Sequence, residues 1–326
     1  GAPVTVGVLD LRDAAACCAI GATSREGTMT ELRGIFAALT TPLDADGEAI
    51  DESGYFDHID ALIEAGVHGL VLCSGTGEYA YLTPQERRWL IEAGARHVDG
   101  RVPTIAQATE LATATVVDNA RAAQDAGASA VMVMPPYLEP PGPDGVFAHY
   151  AAVAGAVGIP VVMYNVPAQA APLTPDLYRR LLAVPGLDYV KDSSGDITVL
   201  QDFLRIGGKV LCGIDAYAPY ALMEGAVGMI WGAVNFMPAA CARLFDLIAA
   251  GEHSAALALW DHMRPVCLWL LNNDHDVDYL TGVKAATSLS GRPMGGHRAP
   301  LQAPGPAAMR ELAEAMEHLP GTQELA

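Results

Sequence analysis

One lysine in the sequence stands where an amine could do chemistry. Lys191 closes the apolar run "LDYV" and is followed by the small polar stretch "DSSGD". Since Lys191, Lys209 and Lys284 are the only lysines, this position is not generic surface charge. Apolar surroundings disfavour the charged form of an amine, and a neutral amine can attack a ketone to form a Schiff base. The structural alternative is an ion pair with Asp192 or Asp196, which the scarcity of lysine disfavours.

A tyrosine provides the second candidate. Tyr164 lies in "MYNVP", and on its own it is more simply read as a packing aromatic whose hydroxyl is hydrogen-bonded. Beside a Schiff-base lysine, however, its hydroxyl could carry protons to and from the reacting groups. The pair is therefore more informative than either residue alone.

A glycine-rich turn, "CSGTGEYAYLT" (73–83), provides the third candidate. Backbone N–H groups of Gly75, Thr76 and Gly77, with the Thr76 hydroxyl, could bind a carboxylate, and Glu78 could brace the turn. The structural alternative is an ordinary tight turn between a strand and a helix. The third glycine of G-x-G-x-x-G is absent, so no NAD site is predicted.

The elements that must position these residues alternate regularly from Gly34 onward. Eight short apolar runs predict strands at 34–42, 69–75, 102–108, 130–136, 159–165, 187–192, 209–213 and 227–232. Helical periodicity fills most intervals, with two Thr-Pro starts and several glycine ends. Apolar strands separated by helices indicate parallel βα units, and eight units predict a closed (β/α)8 TIM barrel over residues 29–250. Residues 251–326 predict C-terminal helices packed on the barrel.

The barrel fold gives the candidate residues a common location. Active sites of such barrels lie at the C-terminal ends of the strands. Lys191 and Tyr164 end neighbouring predicted strands, and the glycine-rich turn ends the second one. We therefore expect them to face one cavity.

Composition and charge exclude several classes of function. The net charge of −19 disfavours nucleic acid and membrane surfaces as partners, and no apolar segment is long enough to cross a bilayer. The six cysteines show no C-x-x-C pair, which predicts thiols in a reducing, cytoplasmic compartment. The histidines are dispersed, and "DHDVD" (274–278) lacks the glycine and glutamate of a calcium loop, so neither a metal nor a cofactor is expected.

The first 28 residues differ from the rest of the chain. They contain a short apolar patch without a basic start or a convincing cleavage site. We predict a flexible N-terminal extension or a cloning remnant that precedes a natural start near Met29.

Five motifs occur together, in order and at barrel spacing: "SGTGE" (74–78), "PPY" (135–137), "YNVP" (164–167), "VKDSSGD" (190–196) and "GAVNFMP" (232–238). In this combination the chain resembles the dihydrodipicolinate synthase/N-acetylneuraminate lyase superfamily, from about Gly34 to about Ser290. The resemblance implies a lyase in which Lys191 forms the imine, Tyr164 transfers protons and the Gly75–Thr76 turn binds the carboxylate of a 2-keto acid.

The same resemblance implies the remaining expectations. Residues expected to bind substrate are Ser74, Gly75, Thr76, Gly77, Tyr137, Gln169 and Asn235. No cofactor is needed beyond the covalent imine. The partners are a small 2-keto acid such as pyruvate, with an aldehyde or sugar acid as a further substrate, and the chain itself, as a homotetramer or homodimer.

Three departures leave the second substrate open. Dihydrodipicolinate synthases typically read G-T-T-G-E in the turn, whereas this chain has Gly75 at the first threonine, with Ser74 as a partial replacement. Leu138 occupies the position of a second relay tyrosine. Gln169 occupies the position of an arginine that binds the carboxylate of the aldehyde substrate, and replacing such a cation is not conservative.

Four functions therefore remain. The leading hypothesis is a class I aldolase or lyase acting on pyruvate or a related 2-keto acid. A decarboxylating dehydratase similar to 5-dehydro-4-deoxyglucarate dehydratase, 4-hydroxy-tetrahydrodipicolinate synthase, and a barrel that binds ligand with reduced catalysis are the alternatives.

Overall fold

The computed structural model describes residues 31–272 and 277–321. The predicted extension at residues 1–28 and residues 274–276 of "DHDVD" lie outside this part of the chain. The described residues begin just ahead of the first strand, and they include every candidate site residue.

Eight parallel strands close into a barrel in sequence order, and β8 pairs with β1, so the predicted (β/α)8 fold is confirmed. The strands are β1 (Gly34–Ala38), β2 (Gly69–Leu72), β3 (Thr104–Gln107), β4 (Ala130–Val133), β5 (Val161–Asn165), β6 (Tyr189–Asp192), β7 (Lys209–Cys212) and β8 (Gly228–Trp231). Every strand lies within its predicted range and is shorter than it. The strands β5 and β6 end where predicted and begin two residues later, whereas β1, β2 and β4 begin where predicted and end earlier.

Eleven α-helices accompany the strands in the described residues. They are α1 (Glu52–Glu64), α2 (Pro84–Val98), α3 (Thr113–Asp125), α4 (Pro143–Ala154), α5 (Pro175–Leu181), α6 (Ile197–Ile206), α7 (Ala218–Met223), α8 (Pro238–Ala249), α9 (His253–Leu271), α10 (Tyr279–Leu289) and α11 (Pro306–Met316). Both Thr-Pro starts are helix caps: Thr83 accepts from the N–H of Glu86 and Thr174 from that of Leu177. The short helices α6 and α7 were not identified by periodicity.

Two apolar layers hold the barrel together. The bore is filled by side chains from alternating strand positions, among them Phe36, Val71, Met132 and Leu211. A larger layer lies between the strands and the surrounding helices. Each large side chain buried in this way contributes about 1.5–3 kcal/mol, so the strands are a rigid platform for the residues that follow them.

The alternation of side chains on β6 explains the direction of Lys191. Tyr189 lies in the bore, whereas Val190 lies in the outer layer. Because side chains alternate along a strand, Lys191 faces the bore again, one pleat nearer the mouth. At the opposite end of the barrel, the Tyr189 hydroxyl accepts from the N–H of Leu32, whose side chain closes the floor.

Candidate active site

Lys191 and Tyr164 lie side by side at the barrel mouth. They are direct partners in the β5–β6 register, and the Lys191 Nζ lies 4.2 Å from the centre of the Tyr164 ring. Lys191 is 8% exposed and Tyr164 is half-buried. The predicted proximity of the amine to the tyrosine is thus present in the structure.

The carboxylates that follow Lys191 in the sequence are engaged elsewhere. Asp192 faces away from the bore, and its two oxygens accept from Asn165 Nδ2 at 2.7 Å and from Ser194 Oγ at 2.9 Å. Asp196 caps α6 by accepting from Thr198. The structural alternative for Lys191, an ion pair with one of these aspartates, is therefore not formed.

A glycine makes room for the lysine. A Cβ atom at Gly213, which follows β7, would lie 2.7 Å from Lys191 Cε and 2.2 Å from Ser193 Oγ. Real Cβ atoms do not approach other atoms so closely, so any side chain here would displace the amine. Gly213 escaped the sequence analysis as a site residue, although its place directly after β7 was a usable signal.

The glycine-rich turn is a 3-10 turn, Gly75–Gly77, that directly follows β2. Gly75 is exposed and Thr76 is half-exposed. Within the part of the chain that the structure describes, the N–H groups of these two residues have no backbone partner, as expected for the first donors of such a turn. These two N–H groups are therefore available as donors, and their binding of a carboxylate stays a prediction.

The remaining turn residues brace these donors. The Gly77 N–H donates to the Ser74 carbonyl at 3.0 Å, and the Gly77 carbonyl accepts from Thr41 Oγ1 at 2.7 Å. The prediction that Gly77 binds substrate through its N–H is therefore wrong, because that group closes the turn. Ser74 is buried and its hydroxyl donates to the Leu39 carbonyl, so its contribution to substrate binding stays a prediction.

Asn235 was also predicted to bind substrate, and this is wrong. Its side chain is completely buried, and Nδ2 donates to the carbonyls of Ala38 and Gly232, both at 2.8 Å. Its Oδ1 accepts from the Thr40 N–H at 3.1 Å and lies 2.9 Å from His58 Nε2. With every polar atom engaged, Asn235 joins the ends of β8 and β1.

The other predicted substrate residues lie on the turns after β4 and β5 and differ in their exposure. Tyr137 shares a small apolar cluster with Tyr164, together with Met134, Val166 and Ala170. Gln169 is exposed on the turn after β5. Leu138 is 65% exposed, so a large apolar side chain lies open to solvent next to Tyr137.

A buried acid that the sequence did not reveal follows β7. Asp215 is 2% exposed, and its Oδ2 accepts from the Tyr279 hydroxyl of α10 at 2.9 Å. Burial raises the pKa of Asp215 to about 7, although the hydrogen bond from Tyr279 and the charge of Lys191 both lower it. The two residues lie 64 positions apart, so periodicity could not have paired them.

The described residues contain neither a candidate metal site nor a candidate membrane-spanning helix. No group of three or more His, Cys, Asp or Glu side chains there is placed to hold a metal ion. No described helix combines the length and the apolar character needed to span a bilayer.

A buried amine beside a tyrosine at the mouth of a parallel barrel is the arrangement expected of a lyase of the Schiff-base aldolase class. Comparison with known proteins agrees: the dihydrodipicolinate synthetase family model matches residues 31–319, and the chain belongs to this family. Its enzymes are class I aldolases that act on pyruvate through a lysine imine.

Named relatives and solved structures cover nearly the whole chain. The 4-hydroxy-tetrahydrodipicolinate synthase of Sorangium cellulosum is 35% identical over 306 residues, which is 90% of this chain and 98% of that protein. Dihydrodipicolinate synthase DapA-2 of Bacillus anthracis is 27% identical, with a TM-score of 0.84 over 90% of this chain and 100% of that one. A prophage protein of Escherichia coli K12 from the dihydrodipicolinic acid synthase family, solved with pyruvate, is 26% identical, with a TM-score of 0.82 over 88% of this chain and 98% of that one.

Proposed function

We propose that this protein is a class I lyase whose Lys191 forms an imine with pyruvate or a related 2-keto acid. The observation that carries the proposal is the Nζ of Lys191 lying 4.2 Å from the Tyr164 ring, with no carboxylate holding it. A cation over an aromatic face is only weakly held, so the amine stays available as a nucleophile.

In the first step the Lys191 amine attacks the C2 carbonyl, and the resulting carbinolamine loses water to give the imine. Tyr164 lies beside the amine, where its hydroxyl can protonate the departing oxygen. The imine nitrogen then accepts the electron pair released when a bond to C3 breaks or a proton leaves C3. No metal or cofactor takes part in this proposal.

The carboxylate of the keto acid would lie on the turn after β2. The N–H groups of Gly75 and Thr76 and the Thr76 hydroxyl are donors of the kind that bind anions at such turns. Charge-assisted bonds to a carboxylate are stronger than neutral ones, and the net charge of −19 makes them necessary for an anionic substrate.

The second substrate differs, in our proposal, from an aldehyde held by a bidentate arginine. Gln169 is neutral and exposed at the place where that cation is expected. A Cβ atom at Gly75 would meet nothing within 4 Å, so the turn leaves open space where a threonine hydroxyl would otherwise lie. We therefore favour a larger, hydroxylated acceptor or leaving group over a small one with its own carboxylate.

A second candidate function is 4-hydroxy-tetrahydrodipicolinate synthase itself. It is favoured by the names of several relatives at 31–37% identity, which cover most of the chain. Assay of the purified protein with pyruvate and either aspartate semialdehyde or a panel of keto-deoxy sugar acids separates the two. Faster turnover of the semialdehyde would replace our first choice, and release of carbon dioxide without pyruvate would indicate the dehydratase reaction.

The imine itself is tested by reduction. The protein is incubated with pyruvate, treated with borohydride, digested and examined by mass spectrometry, and we expect the adduct on Lys191. An unmodified Lys191 with pyruvate and with longer 2-keto acids would contradict the proposed function and would favour a barrel that binds ligand without catalysis.

We also propose that the chain forms a homodimer or homotetramer. The support is the exposed apolar side chain of Leu138, together with Tyr81 and Leu111 in the turns after β2 and β3. Large apolar groups on neighbouring turns are typical of a protein interface. Sedimentation of the protein at micromolar concentration as a monomer would contradict this.

A further inference from the structure

The turn that presents the Gly75 and Thr76 N–H groups ends in a buried acid. Glu78 is 1% exposed and adopts a left-handed backbone with φ of 62°, which L residues rarely populate. Its N–H donates to the Gly75 carbonyl at 3.1 Å, so Glu78 closes the turn that carries the two N–H donors. A carboxylate in this position would, by itself, repel the carboxylate of a substrate.

Two donors and one nearby imidazole from the C-terminal part of the chain converge on Glu78. Lys284 Nζ of α10 lies 2.7 Å from Oε1, and both side chains are 2% exposed. The Arg298 N–H donates to Oε2 at 3.0 Å, and His297 Nδ1 lies 3.6 Å from Oε1. The contacts with Lys284 and with both of these residues lower the pKa of Glu78 against the opposing effect of burial.

Lys284 has no other described ion pair, and α10 supplies no second cation near it. Desolvation lowers the pKa of Lys284, while the charge of Glu78 raises it, so each ion stabilises the charged form of the other. A buried ion pair contributes little to the free energy of unfolding, since desolvation of both ions offsets much of their attraction. Its placement directly behind an anion-binding turn gives it a different use.

We infer that Lys284 is a positioning residue of the carboxylate site: it neutralises Glu78, so that the Gly75 and Thr76 donors receive an anionic keto acid without a negative charge behind them. The inference rests on the proposed function, because it assigns that turn to the substrate carboxylate. Lys284 itself does not touch the substrate. It acts through Glu78, which fixes the end of the turn.

Substitution of Lys284 and substitution of Glu78 are expected to have different effects on substrate binding. Lys284→Met leaves a buried anion behind the turn, whereas Glu78→Gln removes that anion and keeps the shape of the side chain. The readout is the pyruvate concentration that gives half-maximal borohydride trapping on Lys191. We expect Lys284→Met to raise it about ten-fold, while Glu78→Gln and the double variant Glu78→Gln/Lys284→Met stay within about three-fold of the wild type.

Acidity provides a readout that a merely structural role would not move. In Lys284→Met the pKa of Glu78 is released from its main cation and rises through burial. The groups still facing it are His297, the Arg298 N–H and the charge of the Arg298 guanidinium, and pyruvate remains ionised throughout. The pyruvate concentration that gives half-maximal trapping in Lys284→Met is therefore expected to fall towards the wild-type value as the pH is lowered from 7 towards 5. The comparison is made with the wild type at each pH.

A matched control loosens the same C-terminal segment without leaving a charge behind the turn. Arg298 Nη2 lies 2.7 Å from Glu86 Oε1. Glu86→Gln therefore weakens this ion pair and leaves Glu78 and Lys284 in place. The pyruvate concentration that gives half-maximal trapping in Glu86→Gln is expected to equal that of the wild type.

The outcomes separate this inference from the proposed function. If the wild type forms no adduct with any 2-keto acid, the proposed function fails and this inference with it. If the wild type forms the adduct but Lys284→Met half-saturates at the same concentration, only the inference fails. Should Lys284→Met not fold, as judged by circular dichroism, a ten-fold loss in Glu78→Gln would overturn the inference, since it would make the ion pair a structural anchor.

Discussion

Lys191 and Lys284 are both buried, at 8% and 2% exposure, yet their surroundings differ in kind. Lys284 lies 2.7 Å from Glu78, which holds its ammonium in the charged form. Lys191 lies against the face of Tyr164, and its neighbouring aspartates are bonded to other donors. The difference is that a carboxylate holds one buried amine and not the other, and for this reason we propose Lys191 rather than Lys284 as the nucleophile.

The largest effect is expected when the amine itself is changed. Lys191→Arg keeps the positive charge, but a guanidinium does not deprotonate in proteins and cannot form the imine. We expect turnover to fall by at least about 10³-fold and the trapped adduct to disappear. Lys209→Arg, at the opposite end of the barrel beside Tyr189, is the control. An adduct that persists in Lys191→Arg would place the chemistry on another residue.

The next effect tests the neighbour of the amine. Tyr164→Phe keeps the aromatic face and removes the hydroxyl, so the lysine stays in place but loses its proton donor. Turnover is expected to fall about 10²–10⁴-fold, measured under saturating pyruvate, while trapping after long incubation still marks Lys191. Tyr137→Phe, in the same apolar cluster, provides a comparison. Equal losses in the two variants would argue against a specific proton transfer by Tyr164.

A pair of glycines tests how closely the lysine is fitted. Gly213→Ala would place a Cβ atom 2.7 Å from Lys191 Cε, whereas Gly75→Ala would place one in open space. We expect the rate of imine formation to fall about ten-fold in Gly213→Ala, since misplacement of about 1 Å is costly to a reacting group. Gly75→Ala should form the imine at nearly the wild-type rate. The reverse order would show that the turn, rather than β7, limits the position of the substrate.

The smallest effect concerns the second buried acid and how stability depends on pH. The pKa of Asp215 is raised by burial to about 7, so the folded protein binds more protons than the unfolded chain between about pH 4 and 7. Stability from this group is therefore complete below that window and is lost as the pH rises through it. The melting temperature of Asp215→Asn should rise relative to that of the wild type as the pH increases from about 4 to 7. Above pH 7 the difference between the two proteins should stay constant.

The comparison must be made as a difference between the two proteins. Burial lowers the pKa of His58 to about 4, and this group destabilises the fold as the pH falls, which opposes the Asp215 effect in the wild type. Asp215→Asn retains His58, so subtraction removes the histidine contribution. A melting difference that is constant from pH 4.5 to 8 would contradict the raised pKa of Asp215.

The sequence predicts the part of the site that depends on strand order. Lys191 and Tyr164 end neighbouring parallel strands, so their proximity follows once the barrel is recognised. The turn after β2 is predictable for the same reason. These inferences need only the alternation of strands and helices and the position of each residue at the end of its strand.

The sequence does not predict how buried polar groups pair over long distances. Asn235 was expected to bind substrate, but its amide donates to the carbonyls of Ala38 and Gly232 at the ends of β1 and β8. Glu78 and Lys284 are 206 positions apart, and nothing local joins them. A weaker signal was present: Lys284 interrupts the apolar and small residues of "TGVKAATSL", and a lysine buried in a helix needs an acidic partner.

The helix α10 gives the order of synthesis a meaning for this enzyme. It supplies Lys284 to the turn after β2 and Tyr279 to the acid after β7, although it is made after all eight strands. Because domains generally begin to fold from the N-terminus while the ribosome is still working, a nascent barrel would contain Lys191 before the counter-ion of Glu78 exists. Under the proposed function, the keto acid would bind poorly to the unfinished chain, and the Lys191 amine would meet its substrate only after α10 had packed against the barrel.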